Sequence, residues 1–598
     1  MNRATRRAAA RTERRSAHTK VTALGSAAVL ASAGAGAAVV LSSAPAGANA
    51  PIVVTSLSDI GAPGTLRWAI EQANTDPGQD QITFSVTGTI TLLGDLPHIT
   101  DAVHINGPGP SSLTIDGADT YRVLLFDRVY STSGDNEVTG LTITHGNAAS
   151  NPNGGGGAIQ VFYGTADMLI QDVVLHDNAA YDGGAIELYY VESEVTISGA
   201  TITGNVASHQ GGGLYIWGGG YGGDETALHV TITDSEISDN TAQCTAMSYN
   251  GGGGGIYVGN ATLDVAGTTI SDNTVENALC GGGGIHSAES VVTVTDSVIS
   301  DNTAANTGGG LYSYNADATV VRTTISGNDA TGDGGGGVAT FGTGSFALTN
   351  STVSDNTGFY YGGGLYLLGE SSVIVQSTIS GNSSSQAGGI YVGDSAGTAI
   401  LLSTITGNDA TAPSVLPAVD GIQVGGGLAP ASARRAHREA RVATEGRKAR
   451  VRPTDDPVPA GTIQLIGAIV AGNGDLDVGG YDSERVTVDS IGSIIGAVQA
   501  GIVTVADLGG TQTGVTAAAL KLGPLADNGG PTKTHALLAG SVAIDAGPAA
   551  TALPEFDGSA FDQRGEPYTR ISNGVVDVGA YEVQVPAPEP EPEPTFTG

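Results

Sequence analysis

The sequence predicts an all-β fold, a right-handed parallel β-helix with a short N-terminal capping helix. Three observations support this prediction: one short unit recurs at least ten times, glycine supplies 92 of 598 residues, and no window has a sustained helical period. Glycine at about twice its usual share of roughly 7% disfavours helices. Since one short-strand unit cannot form a core alone, its many copies must stack into a solenoid.

The repeated unit begins with a β-branched run and continues through Ser/Thr-(Asp/Gly)-Asn, a variable loop, and several glycines before an apolar residue. The run 292–300 alternates with the two-residue period of a strand. We expect each coil to add about 4.8 Å along the axis, the spacing of neighbouring strands. A β-propeller is the alternative, although its blades need about 40 residues each.

One asparagine recurs at the same turn position of each coil. Because identical amides can bond to the copies above and below, we predict a structural asparagine ladder inside the turn. The residue before each asparagine is Asp or Gly, which indicates a turn with positive φ rather than a carboxylate site. The predicted ladder comprises Asn178, Asn205, Asn240, Asn273, Asn302, Asn328, Asn356, Asn382 and Asn408.

The chain has two cysteines, Cys244 and Cys280, which follow the asparagines of adjacent coils. An even number of cysteines in an exported protein suggests one disulfide bond. A disulfide closing a loop of that length would stabilise the fold by about 3–4 kcal/mol in the chain-entropy model. Two free buried thiols are the alternative.

The N-terminus has the pattern of an export signal. Seven Lys or Arg stand in the first 20 residues, an apolar stretch follows to about residue 40, and small residues occupy 46–48. We therefore predict a secreted or extracellular protein, and the alternative is an uncleaved membrane anchor. No later segment reaches 18 apolar residues, so we predict no membrane span in the mature chain.

The segment 64–74 is one of the few helix-like stretches. Leu66, Ile70 and Ala73 share one face, and Thr65 has the character of an N-cap. Because a solenoid has open ends that must be covered, we expect this helix to close the N-terminal end.

We divide the chain by composition and repeat pattern. The predicted segments are a signal peptide (1–48), an N-terminal cap with the first coils (49–130), the repeats (131–428), a basic flexible insertion (429–459), the final coils (460–515), a C-terminal domain (516–585) and a Pro/Glu tail (586–598). The insertion carries eight Lys or Arg between Arg434 and Arg452. Two hypotheses for it are open: a loop that folds back on the acidic rod, and a basic arm for an acidic wall polymer.

The formal net charge is −35, and 17 basic against 58 acidic residues follow position 48. A body this acidic repels phosphate backbones, so we predict no nucleic-acid partner. We expect a monomer whose partner is a polysaccharide or a cell-surface molecule.

Strand alternation makes the residue after each core Ile, Leu or Val point away from the core. Five of nine such positions are tyrosine: Tyr215, Tyr257, Tyr312, Tyr366 and Tyr391. Rings repeated every 4.8 Å or so suit sugar rings or the apolar surface of a partner, and we predict a ligand-binding stripe there. Packing between like neighbours is the alternative.

The sequence predicts no catalytic residue. Asp234, Glu236 and Asp296 could meet across coils in the way that carboxylates of a hydrolase do, but no triad motif accompanies them. Between 130 and 428 the only Lys or Arg is Arg322, so a basic residue for β-elimination is scarce.

Glu187 with Asp224 and Glu225 forms a second acidic group, which solvent exposure explains as well. The glycine-rich run 218–224 has the form of one calcium-binding repeat, whereas such sites need consecutive copies. The histidines lack ligand spacing. We therefore predict no metal site and no cofactor, and no motif supports Ca²⁺.

Both ends of the chain carry further motifs. Segments 54–57, 64–70 and 80–84 resemble the CSLREA domain, although Gly64 and Thr65 stand where Cys-Ser would be and Trp68 replaces Glu. Segments 522–535 (LGPLADNGGPTKTH), 543–547, 562–565 and 577–582 resemble the choice-of-anchor Q domain. The middle is similar to the β-helix repeats of pectate-lyase-like and polymorphic outer-membrane proteins.

The resemblances imply a bacterial secreted protein that associates with the cell surface. Together with the tyrosine stripe, they favour non-catalytic adhesion or glycan binding. The alternative is a polysaccharide-degrading enzyme on the same fold, a glycoside hydrolase rather than a lyase.

Overall fold

The computed structural model describes residues 50–75, 77–130, 134–149, 154–219, 228–245, 251–393, 397–411, 418–425, 463–480, 486–549, 560–572 and 574–584. These residues belong to one compact unit, Asn49–Gly598. The predicted signal peptide (1–48), the basic insertion (429–459) and the Pro/Glu tail (586–598) lie outside the described residues.

Each coil passes through up to four parallel sheets in a fixed order. The first sheet has 16 strands: Ile52–Val54, Asp80–Phe84, Val103–Asn106, Asn136–Thr139, Met168–Gln171, Glu194–Ser198, His229–Thr233, Thr262–Ala266, Val291–Thr295, Asp317–Val321, Ser345–Thr349, Ser371–Val375, Gly397–Leu401, Ile463–Ile466, Val486–Ile491 and Val503–Gly509. The second has 15: Gly88–Thr91, Leu113–Asp116, Thr142–Thr144, Val174–His176, Thr201–Thr203, Glu236–Ser238, Thr269–Ser271, Val298–Ser300, Thr324–Ser326, Thr352–Ser354, Thr378–Ser380, Thr404–Thr406, Ile469–Val470, Ile494–Ile495 and Gln512–Thr513.

The other two long sheets complete the coil. The third sheet has nine strands: Ala179–Asp182, Val206–Gln210, Thr241–Ala242, Thr274–Val275, Thr303–Ala304, Asp329–Ala330, Thr357–Gly358, Ser383–Ser384 and Asp409–Ala410. The fourth has 12: Leu124–Asp127, Ile159–Phe162, Ile186–Tyr189, Leu214–Trp217, Ile256–Gly259, Ile285–Ala288, Leu311–Tyr314, Val338–Phe341, Leu365–Leu368, Ile390–Val392, Ile422–Val424 and Val478–Gly480. Leu522–Ala526 and Thr534–Leu537 form a separate antiparallel pair.

Successive coils pair in register, so each side chain lies above its equivalent in the coil before. Val195 pairs with Val230, and Val230 pairs with Leu263. Alternate residues of each strand point inward and form one continuous apolar core from Val54 to Ile495. The prediction of a right-handed parallel β-helix is confirmed, and the parallel pairing of successive coils excludes the propeller.

Helix α1 (Leu66–Ala73) confirms the predicted cap. The Thr65 hydroxyl accepts from the Trp68 N–H at 3.4 Å, and the helix buries Leu66, Ile70 and Ala73 against the first strands. Arg67 on its outer side donates to both Asp59 carboxylate oxygens, at 3.0 and 2.7 Å. Neither α1 nor α2 (Ala517–Leu520), the α-helices in the described ranges, is long and apolar enough to cross a membrane.

The described parts of the C-terminal segment, residues 522–549, 560–572 and 574–584, fold back along the outer face of the second sheet. The buried side-chain amide of Gln563 donates to Ser351 O and Thr352 Oγ1, and its oxygen accepts from Thr378 Oγ1 at 2.6 Å. Farther along, the Ala580 N–H donates to Thr404 Oγ1 at 3.0 Å. The segment therefore covers coils that come much earlier in the chain.

A buried charge organises this C-terminal segment. Arg564 lies between the rings of Tyr568 and Tyr581, 3.8 Å from each ring centroid. Its guanidinium donates to the buried Asp562 carboxylate at 2.6 Å. Since a buried cation is stable only when it is paired, these contacts fix the segment's own small core.

Candidate functional site

The structure places the nine predicted ladder asparagines in one buried column. From Asn178 onward each side-chain amide donates to the next Oδ1, at 2.9–3.0 Å within the predicted set. The backbone N–H of Asn302 and its equivalents donate to the same oxygens. Asn473 extends the column, whereas Asn147 turns away and donates to Asp119 O. The column therefore satisfies both amide donors at every step.

A second column, which the sequence analysis missed, lies at the corner between the first and second sheets. Serine and threonine hydroxyls accept from the backbone N–H of the preceding coil, as Ser351 Oγ does from Thr323 N at 3.1 Å. Each hydroxyl also donates to the carbonyl two residues earlier. The sequence does not reveal this column, because its position holds either Ser or Thr, whereas the repeat is recognised from an asparagine that is the same in each coil.

Cys244 and Cys280 are joined by a disulfide bond across adjacent coils, with Cα atoms 6.7 Å apart. Both lie buried beside Ala242 and Val275. The bond ties two glycine-rich loops together next to the fourth sheet.

The predicted tyrosine stripe is present on the outer side of the fourth sheet, but its expected exposure is wrong. The five tyrosines are only 0–7% exposed. Tyr215 and Tyr257 stack at 5.2 Å with planes 12° apart, and Tyr366 meets Tyr391 edge-on at 5.3 Å. The rings form a second core outside the main one.

Glycine-rich loops explain this burial. Gly281 lies in the loop before strand Ile285–Ala288 and approaches a ring of the next coil, whereas Gly425 directly follows strand Ile422–Val424 and approaches a ring of the preceding coil. A Cβ on Gly281 would lie 3.3 Å from the Tyr312 ring, and a side chain on Gly425 would overlap the Tyr391 hydroxyl. Only glycine allows the backbone so close, so the residues that mark the repeat also cover the tyrosines.

The same column contains a buried acid, Glu187. Burial raises the pKa of Glu187 to about 8, against the opposing effect of a hydrogen bond from the Gln160 amide. The negative charge of Asp182 raises the pKa further, and the positive charge of Arg122 opposes this. A carboxyl group of this kind holds a proton at neutral pH.

Glu187 is nevertheless closed to a substrate. A side chain on Gly155 would overlap its carboxyl group, and Arg122 Nε donates to Gly155 O at 3.1 Å, which fixes that loop over the acid. Solvent exposure therefore does not explain Glu187, which is 5% exposed. Its predicted neighbours Asp224 and Glu225 lie outside the described residues.

The other predicted acidic group does not converge. Asp234 and Asp296 occupy the same turn position two coils apart, a separation of about 10 Å, and Gly267 stands between them. That separation is far beyond the spacing of about 5–5.5 Å in retaining glycosidases and at the upper limit of about 9.5 Å for inverting ones. Arg322 Nη2 pairs with Asp296 at 2.6 Å, and Glu236 lies exposed on the next strand.

Four aromatic residues, Phe162, Tyr163, Tyr189 and Tyr190, form the aromatic corner where two strands of the fourth sheet end. Phe162 stacks on Tyr189 at 5.7 Å, and Tyr163 stacks on Tyr190 at 5.0 Å. The two stacks meet edge-on at 4.4–4.5 Å. All four side chains are half-buried, in contrast to the tyrosine column.

The corner has a strained backbone. Tyr163 and Tyr190 both adopt left-handed conformations, with φ of 53°. At the same turn position other coils use Arg128, Asn260, Glu289, Asn315 and Gly342, so the turn itself demands positive φ, and Tyr163 and Tyr190 are its aromatic occupants. A bulky residue held in this region stores about 1–3 kcal/mol and points to a function for its side chain.

Arg128 flanks the corner in the preceding coil. Its guanidinium lies 5.7 Å from the Phe162 ring centroid and 5.6 Å from that of Tyr163, and its side chain is 55% exposed. Asp127 pairs with it at 2.8 Å. Trp217 stands beyond Tyr189 in the next coil. The corner therefore presents apolar ring edges, hydroxyls and a neutralised cation together.

Sequence reasoning missed the aromatic corner because it followed one column of the fourth sheet. A signal was present: the pairs Phe162-Tyr163 and Tyr189-Tyr190 are separated by one coil length. A spacing of one coil between two aromatic pairs places them in register.

Two other features offer less chemistry. A groove of about 610 Å³ between the first and second sheets contains Glu137, Gln171 and Asp172 and no aromatic ring among its lining residues. Its apolar lining is limited to small side chains such as Pro110, Val173 and Val174. Over the described ranges, no three His, Cys, Asp or Glu residues come together to hold a metal ion.

A protein-family model agrees with this fold. The family model for the right-handed β-helix region matches residues 222–428. Among solved structures, the crystal structure of pectate lyase Pel9A is matched with 13% sequence identity over 89% of this chain and 97% of that chain, at a TM-score of 0.26. No curated protein matches. Over about a third of its length, the chain is thus similar to right-handed β-helix proteins.

Proposed function

We propose that this protein is a non-catalytic glycan-binding protein of the cell surface, and that the aromatic corner binds a neutral polysaccharide. The observation that carries the proposal is the pair of tyrosines with positive φ, Tyr163 and Tyr190, which stack on each other and are half-buried. Tyrosine offers an apolar ring and a polar tip on one side chain. Sugars present the complementary surface, with C–H faces bordered by hydroxyl groups.

Charge argues for a neutral polymer. The formal net charge of −35 repels polyuronates, and Arg128 at the corner already pairs with Asp127. Arg322 is likewise paired, with Asp296. The described rod therefore favours ligands that need no counter-charge.

Both ends of the chain support a surface location. The signal-like segment 1–48 is typical of exported proteins. The resemblances of the two ends to CSLREA and choice-of-anchor Q domains favour a secreted protein held at the cell surface, and we propose that it acts as a monomer. A cell-surface partner bearing the polysaccharide fits this location.

A glycoside hydrolase is the second candidate, because Glu187 has a pKa raised to about 8 and lies near Asp182. A raised carboxyl pKa is the property of a general acid. The Gly155 loop over Glu187 stands against this candidate. Release of reducing ends from a neutral polysaccharide, lost in Glu187→Gln, would establish it and overturn the non-catalytic proposal.

The test measures binding of the full chain to hydroxyethylcellulose, laminarin and mannan, with polygalacturonate for comparison. We expect at least one neutral polymer to bind and no reducing ends to appear. Changing Tyr163→Asn and Tyr190→Asn together removes both rings while keeping a residue suited to positive φ. We expect at least a tenfold loss of affinity.

Glu289→Asn is the matched control, because Glu289 occupies the same turn position in a later coil, with φ of 51°. It relieves the same strain without removing a ring. Unchanged affinity in the double tyrosine variant, or no binding of any neutral polymer by the wild type, would rule out the corner as the site.

A further inference from the structure

A second aromatic surface lies on the opposite margin of the fourth sheet. The loop between Thr357–Gly358 and Leu365–Leu368 carries Phe359 and Tyr360, which are 51% and 43% exposed. Their rings meet at 4.7 Å with planes 88° apart. We call this pair the aromatic edge.

The aromatic edge is rigidly held by its neighbours. The Phe359 N–H donates to Ala330 O at 3.0 Å and the Tyr360 N–H to Asp333 O at 2.7 Å, both in the preceding coil. In the following coil, the Gln386 N–H donates to Tyr360 O at 2.9 Å. Little backbone conformational entropy would therefore be lost when a ligand meets these rings.

The residues around the edge make its exposure distinctive. Ser385 and Gln386 stand at the equivalent positions of the following coil, and Thr331 stands at the position of Phe359 in the coil before. Tyr361, next in sequence, turns inward and stacks on Tyr366 at 5.7 Å. Phe359 and Tyr360 therefore project from a row of small and polar residues.

We infer that the aromatic edge is a second contact for the same neutral polysaccharide, so that the ligand is an extended chain held at two points along the rod. The inference rests on the proposed function of the aromatic corner. The edge lies six coil steps from Tyr189, about 29 Å along the axis. A short oligosaccharide cannot reach both surfaces, whereas a polymer can.

Charge supports one kind of occupant for both surfaces. The backbone carbonyl of Asp333 accepts a hydrogen bond from the edge, but the Asp333 side chain is buried. Thr331 and Ser385, which stand at the position of Phe359 in the flanking coils, are uncharged. Two weak contacts on one polymer act through effective concentration, which raises affinity by about 10²–10⁴-fold over one contact. A neutral polysaccharide chain therefore fits the edge and the corner together.

The experiment compares hydroxyethylcellulose, laminarin and mannan with their tetrasaccharides on the full chain. We expect the bound polymer to exceed its tetrasaccharide in affinity at least tenfold. Changing Phe359→Ser and Tyr360→Gln together reproduces the sequence of the next coil, so that the loop keeps its backbone. This variant should lose at least tenfold in polymer affinity and keep tetrasaccharide binding at the corner.

Thr331→Ala, a change at the equivalent position of the preceding coil, is the control and should alter neither affinity. Polymer affinity that stays within twofold in the edge variant, but falls in the corner variant, overturns the inference and leaves the proposed function standing. Failure of the wild type to bind any of the three polymers overturns both. Loss of polymer binding in the edge variant with an unchanged unfolding midpoint supports the inference.

Discussion

The tyrosine column and the aromatic corner lie on the same outer side of the fourth sheet, yet only the corner reaches solvent. Tyr257 and Tyr312 are covered by glycine loops, whereas Tyr163 and Tyr190 stand where the strand ends and the backbone turns to positive φ. Strand alternation fixes which way a side chain points. The loop beside it decides whether it becomes core or surface.

The largest effect that sharpens this contrast concerns Tyr366, which is fully buried. Tyr366→Ala should destabilise the protein by about 3–5 kcal/mol, the usual cost of emptying a large buried site. Its hydroxyl makes no hydrogen bond to any residue that the structure describes, so Tyr366→Phe should cost less than about 1 kcal/mol. Urea unfolding measures both, and equal losses in the two variants would contradict a packing role.

The asparagine ladder is a second difference between the tyrosine column and the aromatic corner. It begins at Asn178, so the coil that carries Phe162 and Tyr163 has no ladder asparagine. Asn302→Ala removes the acceptor of the Asn273 backbone N–H and side-chain amide, bonded at 3.0 and 2.9 Å. Two buried donors without partners should cost about 2–3 kcal/mol in urea unfolding.

Asp301→Asn is the matched control for the ladder, since Asp301 is exposed, has φ of 57°, and asparagine tolerates that conformation. We expect its unfolding midpoint to match the wild type. A ladder variant no less stable than this control would show that the amides contribute nothing net.

Glu187, at the boundary between column and corner, gives a pH dependence. The folded protein keeps its proton up to about pH 8, whereas the unfolded chain releases it near 4.5. The stability that this proton contributes is therefore fully present below pH 4.5 and is lost as pH rises to about 8. We therefore expect the free energy of unfolding to fall between about pH 5 and 8.5.

Glu187→Gln should flatten this pH profile, because the amide can still accept from Gln160 and carries no charge. Thermal unfolding across the pH range compares the two proteins. A profile equally steep in the variant would assign the dependence to other groups, such as Glu582, whose pKa burial raises to about 7.

The smallest effect distinguishes strain from packing at the corner. Tyr163→Asn alone should raise stability by up to about 1 kcal/mol, since asparagine relieves the left-handed backbone. Stability gained with binding lost is the behaviour expected of a functional residue. A clear loss of stability would instead make Tyr163 a packing residue like Tyr366.

The repeat pattern was sufficient to predict the fold because every stacked coil repeats the same local sequence signals. The asparagines, the inward Ile, Val and Leu residues, and the Thr65-capped helix each carry local signals that stacking preserves. Burial of Tyr215 and Tyr257 could not be predicted in the same way. It depends on where a neighbouring glycine loop runs, and alternation alone says nothing of that.

The position of the C-terminal segment on the second sheet could likewise not be predicted from the sequence. No pattern in the segment containing Asp562 and Gln563 indicates that Gln563 reaches Ser351 and Thr378 on the second sheet. Such contacts depend on three-dimensional proximity between segments that are far apart in the sequence. The Ser/Thr hydroxyls they use look like ordinary outward strand positions.

This fold-back changes how the rod responds to mechanical load. An ordinary solenoid can peel from its end one coil at a time, because each coil is held only by its neighbours. Here a pull on the C-terminal segment loads the bonds of Gln563, Thr352 and Thr404 sideways and in parallel. We expect the coils between Thr352 and Thr404 to resist tension together and to yield in a single step.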